Sequence, residues 1–453
     1  MSSSAVASPA APESAAERLT ADALLHAFNG YGRPREQFLV GGEFERAVVR
    51  PDGRPVFYDD PDGIRWILEQ IKARQQGWEG IYEGEHLIAL VRPNKANVTL
   101  EPGGQVELSG APHATLHDVA AEMRENRDLL LELAEESEGR LVWTACGLTP
   151  IAPIDSIGWM PKGRYVIMRE YLPQYGDLAH WMMKGTSSVQ ANYDFIDEAD
   201  CARKVRLCAG LAPLTTALFA NSPLSENKPT GFMSTRGHVW TRTDPARTGF
   251  PPGLRSDYTH ALWVDYLLDV PMMFYKRGKS WVPAEGRSFR QYMEQGFEGQ
   301  FPTWDDWDLH QTSVFPEVRI KRTIEVRGAD CVNHDLAMAF CALFTGLLYC
   351  NQALDAGLAL VDDIERHGTR DSRLAAACKD GLAGEVEGAR IGDWARELGH
   401  IAESGMRSCM PEDVGYLDPL LARIASGRCP AVDVLEAWER DPSPEAVIRS
   451  IKY

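Results

Sequence analysis

The nine cysteines of this 453-residue chain form no CxxC pair, no apolar stretch is long enough to cross a bilayer, and there is no excess of positive charge. Each absence removes a class of protein. An odd number of thiols without ligand spacing argues against a disulfide scaffold or a structural zinc site, so buried, reduced cysteines are expected. The longest apolar run, Leu336 to Cys350, falls short of the roughly 20 residues a membrane helix needs and reads as a buried helix. Lys and Arg number 47 against 65 Asp and Glu, a formal net charge of −18, and tracking a nucleic-acid backbone needs the opposite balance. GxSxG, HExxH and GxGxxG in strand and helix context are also missing, which removes the commonest serine hydrolase, zinc protease and dinucleotide-binding readings. Arg277 to Ser280 reads RGKS like the end of a P-loop, but no glycine stands five positions before Gly278 to build the phosphate-cradling turn.

What is present is an ordinary globular composition, 44% hydrophobic and 25% charged, at a length that buries a large core unaided. Residues 1–18 are rich in Ala, Ser and Pro and are expected to form a disordered tail. They lack the cationic start and apolar stretch of a secretory signal, so a cytoplasmic protein is expected. A catalytic domain is expected over 19–361. Beyond it, 362–453 is rich in Ala, Leu and charge and reads as short helices packed on that core.

From Thr115 to Glu138 apolar residues recur at the spacing of one face of a long helix. Four other segments alternate like half-buried strands, and the polar faces of these carry functional groups. In Val40 to Val49, Glu43 and Glu45 point the same way. Asn97 to Gly110 reads as strand, Pro-Gly-Gly turn and strand, with Glu101 at the turn and Gln105, Glu107 and Ser109 on one face. Ser188 to Phe195 places Ser188, Gln190, Asn192 and Asp194 on one face, and Val318 to Arg327, read as a single strand, does the same for Arg319, Lys321, Thr323, Glu325 and Arg327. Such alternation predicts an α+β fold in which an antiparallel sheet packs one face on helices and lines a polar cavity with the other.

Five carboxylates on these faces, Glu43, Glu45, Glu101, Glu107 and Glu325, suit a hard cation such as Mg2+ rather than zinc. Arg319, Lys321 and Arg327 lie beside Glu325, and Lys162 and Arg164 sit in a turn-like PKGRY. Carboxylates mixed with cations are what a nucleoside triphosphate needs, since divalent ions bridge its phosphates and Arg or Lys offset developing charge. Solvated strand-surface ion pairs are the competing reading. His238, alternating with Arg236 and Trp240 in RGHVW, reads as a hydrogen-bonded structural histidine or as a base, and Met182, Met183, Met272 and Met273 as core or pocket.

At these segments the sequence resembles the glutamate-cysteine ligases of the plant and proteobacterial type, whose fold is similar to glutamine synthetase. The resemblance is carried by LEPGGQVELSGAP (100–112), MPKGRYVIMREYLP (160–173), SVQANYDF, TALFANSPLSENKPTGF (216–232), RGHVWTRTDPARTG (236–249), VDYLLDVPM (264–272) and FPEVRIKRTIEVRGAD (315–330). It implies a ligase that uses Mg2+ and ATP to join the γ-carboxylate of glutamate to the amine of cysteine through a γ-glutamyl phosphate, the first step of glutathione biosynthesis. It further implies Glu43, Glu45, Glu101, Glu107 and Glu325 as metal ligands, and Arg164, Arg236 and Trp240 around glutamate. Lys321 and Arg327 would meet ATP, with Arg327 and Glu325 in catalysis. Small-molecule substrates, no nucleic acid, no membrane, and a monomer or homodimer complete the expectation.

The family's RTCTVQVN is here GTSSVQAN, and its PMYF is PMMF, so Met183, Ser187 and Met273 are expected to line an altered acceptor pocket. These departures keep two alternatives open: a ligase for another amine, and a non-catalytic homologue that binds nucleotide or glutamate. Plant members carry regulatory disulfides, and no pair of cysteines here matches theirs.

Overall fold

The computed structural model describes residues 18–137, 140–255 and 257–453. The expected disordered tail therefore lies, Arg18 apart, outside the described residues, as does the predicted end of the long helix at Glu138.

Nine strands form one antiparallel sheet: β1 (Val40–Val49), β2 (Glu79–Glu83), β3 (His86–Val91), β4 (Asn97–Leu100), β5 (Val106–Ser109), β6 (Val142–Thr144), β7 (Ser188–Tyr193), β8 (Val318–Ile320) and β9 (Ile324–Asp330). Their spatial order is β8-β9-β7-β1-β5-β4-β3-β2, with β6 paired to the far end of β1. The Pro-Gly-Gly turn between β4 and β5 is as expected. Gly104 sits at φ +93°, and a Cβ on Gly103 would stand 2.2 Å from the Lys184 carbonyl oxygen, so the turn needs both glycines.

Five helices position the site: α1 (Leu116–Glu136), α2 (Gly163–Tyr171), α3 (Glu198–Phe219), α4 (Thr235–Trp240) and α5 (His334–Tyr349). The hydroxyl of Thr115 caps α1 by accepting from the Asp118 N–H at 3.1 Å. The helices α1, α3 and α5 back the apolar face of the sheet, where Trp143 Nε1 donates to Leu130 O at 2.7 Å and Tyr193 OH to Cys341 O at 2.9 Å. From Leu336 to Tyr349 every residue of α5 is buried, as the apolar run predicted, and no single helix among the described residues is long and apolar enough to span a membrane. The helix Asn351–Ile364 runs across the expected boundary at 361, and the later helix Ile391–Cys409 packs back on α5. All nine cysteines are free, and Cys409 is the one exposed.

Two local readings are corrected. Val318 to Arg327 is a hairpin, not one strand: the chain turns at residues 321–323, and Arg319 lies directly opposite Glu325. RGHVW is helical, so Arg236 and Trp240 share a face by the i, i+4 spacing of α4. Half-buried His238 stacks on Phe232 at 4.3 Å, which is the structural reading. RGKS forms the tip of a hairpin joining Phe274–Arg277 to Ser280–Pro283.

Buried His310 gives the fold an acid-sensitive point. Its Nε2 lies 2.6 Å from the Leu267 carbonyl oxygen and its ring stacks on Phe289 at 5.2 Å. Burial, aided by the charge of Arg247, pushes its pKa from 6.5 down to about 4. The unfolded chain binds this proton more readily, so the stabilisation is complete above pH 6.5 and is lost as pH falls toward 4. The expected cost is about 3 kcal/mol, read as the part of the drop in urea midpoint between about pH 7 and pH 4 that His310→Gln removes, with half-buried His334, also pushed down to about 4, contributing to the remainder.

Candidate active site

Sheet register assembles the polar face. Glu45 on β1 lies opposite Glu107 on β5, which lies opposite Thr99 on β4, while Glu43 pairs with Gln190 on β7 and Glu325 with Asn192. Cross-strand neighbours stand about 5 Å apart at Cβ, so these polar groups form one continuous surface. Glu45 accepts from the Ser188 N–H at 2.6 Å, the Ser188 hydroxyl at 2.9 Å and Gln190 Nε2 at 3.1 Å. Glu43 accepts from Asn192 Nδ2 at 2.8 Å, and Glu107 from the Thr99 hydroxyl at 2.7 Å.

Like charges crowd here. Burial, then the charges of Glu325 and Glu107, push Glu43 up to about 7. Burial, then Glu101 and Glu107, push Glu45 up to about 8. Glu325 goes the other way: burial would raise it, but Arg319, Arg327 and Lys321 hold it far below the usual carboxylate range. Arg319 grips it with a fork at 3.0 and 2.8 Å, Arg327 bridges it to Gln190, and Lys321 lies 3.6 Å away.

Two cavities open on this face. The smaller is lined by Glu43, Glu45, Glu101 and Glu107, by Arg236, Arg319 and Arg327, and on its apolar side by Met168, Met182, Met183, Trp240 and Phe315. Trp240 Nε1 is buried there without a hydrogen-bond partner, a donor that fits a polar ligand. The larger, about 960 Å³, carries Lys162, Arg164 and Lys321 and shares Glu43 with the smaller. That volume suits a nucleotide. At the start of α2, Lys162 Nζ donates to Leu100 O at 2.8 Å, and burial pushes its pKa down to about 7. Arg164 lines the larger cavity, apart from Arg236, yet stands near enough to Glu101 for their charges to interact.

The structure thus brings together Glu43, Glu45, Glu101, Glu107, Arg236, Trp240, Arg327 and Met183 at the smaller cavity, and Arg164 and Lys321 at the larger. Glu325 lies fully buried behind its cations. Ser187 and Met273 are buried and line neither cavity. Gln190, which spans Glu45 and Arg327, was visible as a polar strand position but not as a site residue. Phe315 and Met168 gave no polar signal at all.

Among the described residues no three His, Cys, Asp or Glu side chains converge closely enough to enclose an ion. The donor chemistry nevertheless fits a hard cation. The carboxylates offer only oxygen, and Glu43 and Glu45 are raised by burial and then by repulsion, from Glu325 and Glu107 on Glu43 and from Glu101 and Glu107 on Glu45, that an added positive charge would relieve.

An antiparallel sheet that gathers carboxylates and cations between a nucleotide-sized cavity and a smaller polar one suits the class of ligases that bring a nucleotide and a carboxylate together. The sequence profile of Glutamate-cysteine ligase family 2 (GCS2) matches residues 39–451, and the chain belongs to that family. It is 37% identical to the chloroplastic glutamate–cysteine ligase of Brassica juncea, over 99% of this chain and 87% of that one. With chloroplastic glutamate–cysteine ligase B of Oryza sativa subsp. japonica it shares 37% identity over 94% and 86% of the two chains. In fold it is similar to the glutamate–cysteine ligase of Francisella tularensis solved in complex with AMP, with a TM-score of 0.58 and 13% identity over 91% of this chain and 87% of that one.

The names of the plant relatives overturn the cytoplasmic expectation, since those proteins are chloroplastic. The physical reason is that the criteria which exclude a secretory signal do not address organelle transit segments, which are Ser-rich and have no continuous apolar stretch.

Proposed function

We propose that the protein joins the γ-carboxylate of glutamate to the amine of cysteine with ATP, through γ-glutamyl phosphate, as the first step of glutathione synthesis. The carrying observation is the shared wall at Glu43: one face of buried carboxylates and cations borders both cavities. The nucleotide occupies the larger, its phosphates toward Lys321 and Arg327. Glutamate occupies the smaller, its carboxylates met by Arg236 and, from the Glu101 side, by Arg164, with Trp240 Nε1 as a further donor. Glu43, Glu45, Glu101 and Glu107 would hold Mg2+, which would supply charge neutralisation at the phosphates. Glu325, neutralised by three cations in this arrangement, holds Arg327 Nη1 beside Gln190, and its own service to a metal ion would require those pairs to loosen.

Phosphoryl transfer asks the protein chiefly to position two anions and offset the charge that develops between them. Arg327 meets the moving phosphoryl group, and the apolar methionines and Phe315 keep water from the acyl phosphate. The readings with another amine as acceptor drew on Met183, Ser187 and Met273; Met183 lines the smaller cavity, and Ser187 and Met273 line neither of the two.

The test is ADP release with Mg2+, ATP and glutamate, with and without cysteine and across a panel of amines. Cysteine is expected to stimulate release at least about tenfold more than any other amino acid, with γ-glutamylcysteine identified by mass spectrometry. Stimulation by a different amine alone would overturn the acceptor, and no release under any condition would leave a binding homologue.

A further inference from the structure

A helix of only six residues, α4, carries both Arg236 and Trp240, and what holds it still lies behind the cavity, at Asp330 on β9, three residues past Arg327. The carboxylate of Asp330 is buried and accepts three hydrogen bonds. The Asn221 N–H and the Ser222 hydroxyl donate to Oδ2 at 2.8 and 2.6 Å, and the Ser234 hydroxyl donates to Oδ1 at 2.8 Å. A hydroxyl has one proton to give. With both serine protons committed to Asp330, both oxygens are left to accept, and each faces the first turn of α4. Ser222 Oγ accepts from the Arg236 N–H at 3.0 Å, and Ser234 Oγ from the Gly237 N–H at 3.0 Å. The far end of Arg236 is tied to the same strand, its guanidinium donating to Arg327 O at 3.0 Å and lying 3.9 Å from Asp330 Oδ1.

We propose that Asp330 is a positioning residue for glutamate binding: by fixing the direction of the Ser222 and Ser234 hydroxyls it sets the first turn of α4, and so aims Arg236 and Trp240 into the smaller cavity. The carboxylate does not line that cavity. This rests on the reading that Arg236 holds glutamate, so Arg236→Ala is included as the control for that reading.

Asp330→Asn keeps the shape but turns one acceptor oxygen into an NH2 donor, so one serine loses the acceptor that fixed its proton and its hydroxyl is no longer held in the direction that serves the helix N–H. Ser222→Ala removes one link outright and carries the test if the Asp330→Asn variant does not fold. Steady-state kinetics with glutamate and with ATP varied in turn, together with melting temperatures, should show the KM for glutamate rising about tenfold for Asp330→Asn and Ser222→Ala. The KM for ATP should stay within about twofold. An unchanged glutamate KM in both variants, with Arg236→Ala raising it, would overturn the positioning role while leaving the glutamate reading intact. Equal rises for both substrates with a lowered melting temperature would reduce Asp330 to a fold-stabilising residue. An unchanged glutamate KM in Arg236→Ala would overturn the glutamate reading itself and the proposal with it.

Discussion

Replacing Arg327 by methionine is expected to lower kcat about a thousandfold while the protein stays folded. The guanidinium is buried, lines the smaller cavity, and bridges Glu325 to Gln190. Those two partners fix its plane before substrate arrives, so little reorganisation remains to be made when charge develops on the phosphoryl oxygens. Methionine fills similar space and removes the charge. Glu325 keeps the Arg319 fork at 3.0 and 2.8 Å, so it is not left as an unpaired buried ion and the loss of stability should be small beside the loss of rate. Arg327→Lys restores the charge but not the planar, delocalised guanidinium or its further N–H donors, and should recover about tenfold of the lost rate. ADP release at saturating substrates, beside melting temperatures, makes the comparison. A methionine variant within about tenfold of the parent kcat would remove Arg327 from the transition state.

Much of this face could be read from the sequence because a strand alternates. Glu43 and Glu45, or Glu107 and Ser109, share a face whatever else the chain does, and the order of the sheet then sets them side by side. The hairpin at residues 321–323 was hidden for a related reason. Arg319 and Glu325 fall on one face whether the segment runs straight or folds back, and Lys-Arg-Thr contains no glycine, proline or asparagine to signal a turn. The two readings differ in distance: six residues of extended strand would separate the pair by about 20 Å, whereas the hairpin puts them in contact at 2.8 Å. Arg236 and Trp240 were ambiguous in the same way, since a spacing of four preserves the face in both helix and strand. Asp330 was beyond sequence reading altogether, because its partners at 221, 222 and 234 come from a loop and a helix cap that only the packed fold brings to β9. Of the expected acceptor residues, Met183 lines the smaller cavity while Ser187 and Met273 are buried away from both cavities, because departures from a family pattern mark difference without marking location.

Excess chelator is expected to abolish turnover, by at least about a thousandfold, and charge balance at the site shows why. Glu43, Glu45, Glu101 and Glu107 border the smaller cavity, and the cations nearest the transferring phosphate, Arg319, Lys321 and Arg327, are already drawn to Glu325. A triphosphate and a glutamate carboxylate would add further negative charge to that wall, and at about 4 Å each uncompensated pair of like charges costs about 4 kcal/mol at an effective dielectric of roughly 20. The raised Glu43 and Glu45 already show that charge on them is disfavoured, and a divalent ion would let both ionise while offsetting the charge that the substrates bring. Glu45→Gln separates this account from a structural one. Glutamine keeps an oxygen that can accept from the Ser188 N–H, which stands 2.6 Å from Glu45, so the strand pairing should survive while one anionic donor is lost. The expected result is a rise of about tenfold or more in the Mg2+ concentration for half-maximal rate, with a melting temperature close to the parent's. Full turnover in chelator, or a Glu45→Gln enzyme with unchanged Mg2+ dependence, would show that these carboxylates serve something other than a cation.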